Sequence, residues 1–224
     1  MWCIGKIDGE YLARMEDVLE IYKSEKQKGV SRICFDERPC QLIGDVYSPI
    51  PMKAEKVRKI DNEYERKGTC VILLAYDLDR GQRYFIISDQ RRKEDYAKFM
   101  DWIEKTYYSK EDKIIVVQDN LNTHKYGSFY ENLPLERACE LRKKLEFHFT
   151  PIHGSWLNMA EIEFSSLSRQ CLDRRISSKD EMIKEVSAWQ KPRNENQQKI
   201  SWSFTVPTAR YKMKRHYKDI NSNN

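Results

Sequence analysis

An α/β fold, built on a mixed central sheet of five strands with helices on both faces, is what the pattern of this 224-residue chain predicts. Three observations lead there. Thr69–Tyr76 and Lys113–Val117 are nearly continuous apolar runs of strand length, as expected of strands buried on both faces. Apolar residues recur at helical spacing in Gly9–Lys28, in Lys93–Tyr108 and again after Pro151. A hairpin precedes the alternation of helix and strand, so an antiparallel pair should share its sheet with strands that return parallel.

Each element has its own signal. Tyr11, Leu12, Met15, Val18, Leu19 and Tyr22 form the stripe of a first helix, which Gly29 should end. Ser31–Asp36 reads as a strand that delivers an acid at its C-terminal end, and Pro39, Pro49 and Pro51 should interrupt the stretch beyond it. Thr69–Tyr76 turns at Asp79–Gly81 and pairs with Arg83–Ser88. Tyr96, Phe99, Met100, Ile103 and Tyr107 line the next helix. The strand Lys113–Val117 leads to a second acid, Asp119; Leu135–Leu145 is helical and Glu146–Thr150 is a short strand. Pro151 and Gly154 turn the chain into a helix from Trp156 to about Leu172, and a last helix runs from Lys179 to about Trp189. Three regions result: a linker helix over 1–30, an α/β domain over 31–190 and a basic C-terminal tail over 191–224.

Composition narrows the classes. Apolar residues are 40% and aromatics 12%, which supplies a core and excludes a disordered chain. Mean hydropathy is −0.80 and no apolar run reaches a membrane span, so no membrane partner is expected. Asp8, Glu10, Glu16 and Asp17 fall where a signal peptide would be apolar, which points to the cytoplasm. Six scattered cysteines without a C-x-x-C pair suit neither a disulfide framework nor a zinc site. Net charge is +5, and Thr205–Lys218 holds Arg210, Lys212, Lys214, Arg215 and Lys218 with no acid. Such a stretch, with Tyr211 and Tyr217 interleaved, suits phosphate contact; a solvated helix end is the equal alternative.

Two carboxylates stand out. Asp36 and Asp119 both lie at the ends of strands, at the edge where α/β sheets place their sites, and they converge if those strands are neighbours. A third acid from a following helix would complete a set of hard oxygen ligands suited to Mg²⁺. Two such ions can activate a hydroxyl nucleophile and stabilise a leaving oxygen in phosphoryl transfer. Turn residues at strand ends are the plainer reading of either acid alone. Glu161 and Glu163 flank the apolar stripe of the Trp156 helix on opposite sides, and periodicity does not choose between them. Glu37 should point to the opposite face from Asp36 by strand alternation and is not a candidate ligand.

The segments C-F-D-E-R-P (Cys34–Pro39), Q-D-N-L-N-T-H (Gln118–His124) and H-F-T-P-I-H-G-S-W-L-N-M-A-E (His148–Glu161) resemble the DDE signature of bacterial insertion-sequence transposases of the mariner-type superfamily. The resemblance implies an RNase H-like catalytic domain with Asp36, Asp119 and Glu161, rather than Glu163, as catalytic and metal-holding acids. It implies two Mg²⁺ ions, with Mn²⁺ able to substitute. Asn120, Asn122 and His124 would support the second acid, His124 by touching the scissile phosphate. Ser155 suits the N-cap of the third helix, and Trp156 suits a core anchor. Asp119 and Glu161 are 42 residues apart, longer than in the family's eukaryotic branch, which implies an insertion around Leu133–Leu145. The activity implied is DNA cleavage at element ends and strand transfer into target DNA, by a homodimer acting on the bacterial nucleoid. Arg91, Arg92, Arg210, Lys212, Lys214 and Arg215 are the candidate DNA contacts. Thirty-five residues precede Asp36, too few for the family's helix-turn-helix modules, so an upstream helix-turn-helix polypeptide is an expected partner. A hydrolytic nuclease of the same fold and a non-catalytic DNA-binding relic are the alternatives.

Overall fold

The computed structural model describes residues 7–57, 59 and 61–221; Cys3 and the outermost parts of the regions expected as linker and tail lie outside these. Five strands form one mixed sheet in the order β3-β2-β1-β4-β5. They are β1 (Val30–Asp45), β2 (Tyr64–Asp77), β3 (Gln82–Ser88), β4 (Lys113–Gln118) and β5 (Leu145–Phe149). β1 and β3 both pair antiparallel with β2, while β1 and β5 both pair parallel with β4. Hairpin first and parallel returns later is the predicted arrangement.

Strand alternation sorts the core into two layers. Cys34, Ile72, Leu74 and Val117 face α1 (Gly9–Lys23), α5 (Met159–Leu167), α6 (Lys179–Glu195) and α7 (Val206–Lys212). Ile33, Phe35, Leu73 and Val116 face α2 (Lys93–Tyr107), α3 (Gly127–Asn132) and α4 (Leu135–Lys144). The helix α8 (Lys214–Asn221) follows α7. Among the described residues, no helix is long and apolar enough to cross a membrane.

Several boundaries differ from the sequence reading, each for a physical reason. β1 does not end at Asp36. It runs on to Asp45 through Pro39, because beyond Cys34 it pairs only with β2 and proline's missing N–H falls on a strand with a free edge. α1 stops at Lys23, where Ser24 turns extended, and Gly29 instead makes a left-handed turn (φ 75°) into β1. The helix expected from Trp156 to Leu172 comes in three pieces: a 3₁₀ turn at Ser155–Leu157, α5, and a π turn at Ser168–Leu172. Asn158, not Ser155, caps α5, its side chain accepting from Ala160 N at 3.1 Å. Trp156 is no core anchor: it is 46% exposed, and the neighbouring Leu157 is buried in its place. α6 continues past Trp189 to Glu195, with Pro192 inside it. The short α3, bearing the buried Phe129, had no periodic signal long enough to detect.

α1 and the C-terminal segment are packed rather than loosely attached. Met15 and Val18 are fully buried against the sheet, as is Ala209 of α7. Arg210 reaches back to α1, its guanidinium bidentate on Glu16 at 2.8 and 2.6 Å.

Candidate active site

The site lies where β1 loses its second neighbour. The last registered pair between β1 and β4 is Cys34 with Val117. Asp36 and Asp119 each stand two residues beyond that pair, so the register brings both acids to the same edge of the sheet. Even-numbered alternation turns Asp36 toward the face covered by α5, to the same side as Cys34.

α5 is fastened across this edge at both ends. At its N-terminus the Asn158 amide donates to Phe35 O at 2.9 Å and to Asp36 Oδ2 at 3.4 Å. At its C-terminus Arg38 donates to Phe164 O at 3.2 Å and to Ser168 Oγ. Tyr22 of α1 holds the preceding turn, its hydroxyl donating to Leu157 O at 2.6 Å. Glu161, in the first turn of α5, is thereby presented on the exposed side next to Asp36.

The electrostatics register this crowding. Burial pushes the Asp36 carboxyl well above the usual carboxylate range, and the negative charges of Glu161, Glu37 and Asp119 push it further; the hydrogen bond from Glu37 N at 2.8 Å opposes them. Glu163, the other candidate on the helix, is elsewhere. It is buried beneath β3 in a bidentate pair with Arg83 at 2.8 and 2.7 Å, both side chains almost fully enclosed. The two glutamates that periodicity left open point to different places: Glu163 is occupied by an arginine, and Glu161 bears on Asp36.

Asp119 is half-turned toward another partner. Its Oδ1 lies 2.5 Å from His124 Nδ1, and the other ring nitrogen lies 2.9 Å from Glu37 Oε2. His124 is 2% exposed and wedged among Phe35 and Tyr96, with ring centroids 5.2 and 4.9 Å away. Burial alone would lower the imidazole, but the hydrogen bond to Asp119 and the nearby Glu37 and Asp119 carboxylates outweigh it and raise the ring to about 9. His124 is therefore enclosed below the site rather than exposed at its surface. Glu37 does point to the opposite face, as alternation requires, and that is the face on which it meets His124. Asn120 and Asn122 are exposed in the same turn, Asn122 accepting from Lys125 at 3.3 Å. Sequence reasoning passed over Asn158 and Arg38, although Asn158 stands inside the S-W-L-N segment.

Among the described residues, no three His, Cys, Asp or Glu side chains stand at the mutual spacing of one ion's ligands. The donor set nonetheless fits a hard cation. Asp36, Asp119 and Glu161 are all carboxylates, the ligands such ions prefer, and Asp36 is crowded by like charge that a cation would offset.

The candidate DNA contacts occupy two places. Arg91 and Arg92 are exposed between β3 and α2, with Arg92 N held by Asp95 at 2.9 Å at the head of α2. Lys212, Lys214 and Arg215 are exposed at the junction of α7 and α8, beside the Glu16-bound Arg210.

Residues 31–183, from β1 into α6, match the family described as DDE superfamily endonuclease. No curated protein sequence matches the chain. Among solved structures, the fold is similar to the catalytic domain of the Mos1 mariner transposase, at 13% identity and a TM-score of 0.57, with 99% of this chain and 97% of that one covered. It is also similar to the chain in the Mos1 strand transfer complex (13% identity, TM-score 0.60) and in the Mos1 mariner paired end complex with Mn (13%, 0.59). Each of these covers 99% of this chain, which spans only 64% and 65% of their own lengths. The shared architecture is the RNase H-like one, a mixed five-stranded sheet with helices on both faces. Its family match extends over more than half of its length, and the chain belongs to the DDE superfamily endonucleases.

Proposed function

We propose that this chain is the catalytic domain of a DNA transposase, which cuts DNA at the ends of a mobile element and joins them to target DNA. Asp36, Asp119 and Glu161 are its catalytic acids. The observation that carries the reading is the buried Asp36 carboxyl, pushed upward first by burial and then by the charges of Glu161, Glu37 and Asp119, the first and last of which come from separate motifs. The reaction comprises two phosphoryl transfers. In the first, water attacks an element-end phosphodiester and the P–O3′ bond breaks, freeing a 3′-hydroxyl. In the second, that hydroxyl attacks a target phosphodiester, one P–O bond forming as another breaks, with no covalent protein intermediate. Two divalent ions held by the three acids would supply the charge that activates the attacking hydroxyl and stabilises the leaving oxygen.

The protein's own contribution is placement. Asn158 and Glu37 N fix the two Asp36 oxygens. Arg38 and Tyr22 fix α5, and with it Glu161, against β1. DNA as partner draws support from the Mos1 paired end and strand transfer complexes, and a divalent ion from those prepared with Mn and Mg. Action as a homodimer, with end recognition by a helix-turn-helix polypeptide, belongs to the same proposal.

The test uses labelled duplexes with Mg²⁺ or Mn²⁺, scored for cut and joined products. Asp36→Asn, Asp119→Asn and Glu161→Gln should each abolish both products while leaving the protein folded. Cutting without joining would favour a hydrolytic nuclease instead. Equal product from wild type and the three variants would sink the assignment.

A further inference from the structure

The Glu37–His124–Asp119 chain is a buried ionisable group of contacts at the site that the two phosphoryl transfers leave without a task. Both ring nitrogens of His124 face carboxylates, Asp119 at 2.5 Å and Glu37 at 2.9 Å. The ring thus bridges two acids, hydrogen-bonded to Asp119 through Nδ1 and within ion-pair distance of Glu37 through Nε2. The ring cannot turn away, being packed between Phe35 and Tyr96. Its loop is fixed as well, since the His124 carbonyl accepts from the Gln118 amide at 3.0 Å, and that Gln accepts from Tyr96 at 2.8 Å. Glu37 is enclosed to the same degree as His124. Its Oε2 lies within ion-pair distance of Nε2, is buried and makes no hydrogen bond among the described residues, so the histidine is the charge that faces it.

Resting on the function proposed above, we infer that Glu37 and His124 are positioning residues: Glu37 holds the imidazole, and the imidazole sets the orientation of Asp119 for a divalent ion. This moves His124 from the phosphate to the floor beneath the acid. It also gives a purpose to burying a carboxylate next to Asp36, whose charge otherwise only adds to the crowding there. Partners that orient a metal ligand typically change metal affinity 10–100-fold when removed.

Two measurements on the full chain test this. In the metal-free protein, proton NMR of the imidazole should show a solvent-protected, far-downfield Nδ1–H signal from His124. Asp119→Asn should remove that signal, and Glu37→Gln should shift or broaden it. In the second, Mn²⁺ binding is titrated by calorimetry for wild type, Glu37→Gln, His124→Asn and the double variant, with Asp36→Asn as the control. Each single variant should bind Mn²⁺ 10–100-fold more weakly, and the double variant no more weakly than His124→Asn alone, because one residue acts through the other. Losses that multiply, or a Glu37→Gln protein that binds as wild type does, would overturn the inference. The ring-proton spectrum judges the chain of contacts without any metal: a missing protected proton overturns it. Wild type binding Mn²⁺ no better than Asp36→Asn would instead count against the proposed function.

Discussion

At the scale of single residues, the site is a place where like charges are forced together, and Asp36 bears the cost. An acid whose folded-state carboxyl is raised binds more protons folded than unfolded. Its effect on stability therefore worsens as pH climbs from the unfolded carboxylate value, about 3.9, through the raised folded value. In metal-free protein this loss should be absent in acid and grow as pH rises toward the raised folded value. Asp36→Asn removes it, so the variant should melt a few degrees above wild type at about pH 8 and level with it near pH 4. Each kcal/mol is worth about 2–4 °C at this chain length. Millimolar Mn²⁺ should raise the melting temperature of wild type and leave that of Asp36→Asn unmoved. A variant that melts below wild type at the higher pH would mean that Asp36 is stabilised by its surroundings, contrary to this account.

Among the elements, α5 matters most, because it carries two glutamates two residues apart with opposite tasks. Glu163 closes the Arg83 pair beneath β3, and the same strand edge is sealed by Asn194 of α6. That side chain takes the Arg83 N–H at 2.8 Å and gives to the Arg83 carbonyl at 2.9 Å, as a further strand would. Removing one partner of an enclosed ion pair strands the other, so Arg83→Met should cost about 3–5 kcal/mol in urea unfolding. Arg83→Met with Glu163→Met should recover most of it. Glu161→Gln should leave the unfolding midpoint where it is while removing cleavage. If Glu163→Gln were the silent change for stability and the one that stops cleavage, the two roles would be reversed. Much of this scale was legible in the sequence: continuous apolar runs gave β2 and β4, and 3.6-residue stripes gave α1 and α2. The two motif acids come to one edge of the sheet because β1 and β4 are parallel neighbours. The rest depends on contacts across the chain. Nothing local marks Glu163 as the partner of Arg83, eighty residues away, or Asn158 as the cap that breaks the expected long helix. The His124 ring could not be placed either, since an Asn-rich turn leaves open whether it faces solvent or core.

On the scale of the whole molecule, charge is divided between a structural and an outward-facing set. Arg210 is committed to Glu16, while Lys212, Lys214 and Arg215 are exposed beside it. If the junction of α7 and α8 meets DNA phosphates, replacing those three by Ala should reduce the slope of log K against log salt by about 2–3, near 0.9 for each phosphate no longer neutralised. Arg210→Ala should act mainly by loosening α7 from α1, which thermal melting would register. An unchanged slope in the triple variant would place the DNA on another face. The central claim, that three motif acids from β1, the end of β4 and α5 form one divalent-metal site, is tested most directly by anomalous scattering at the Mn edge from crystals grown with Mn²⁺. The account predicts density bridged by oxygens of Asp36, Asp119 and Glu161, with Glu163 still paired to Arg83. Manganese bound without Asp36, or held by Glu163, would contradict it.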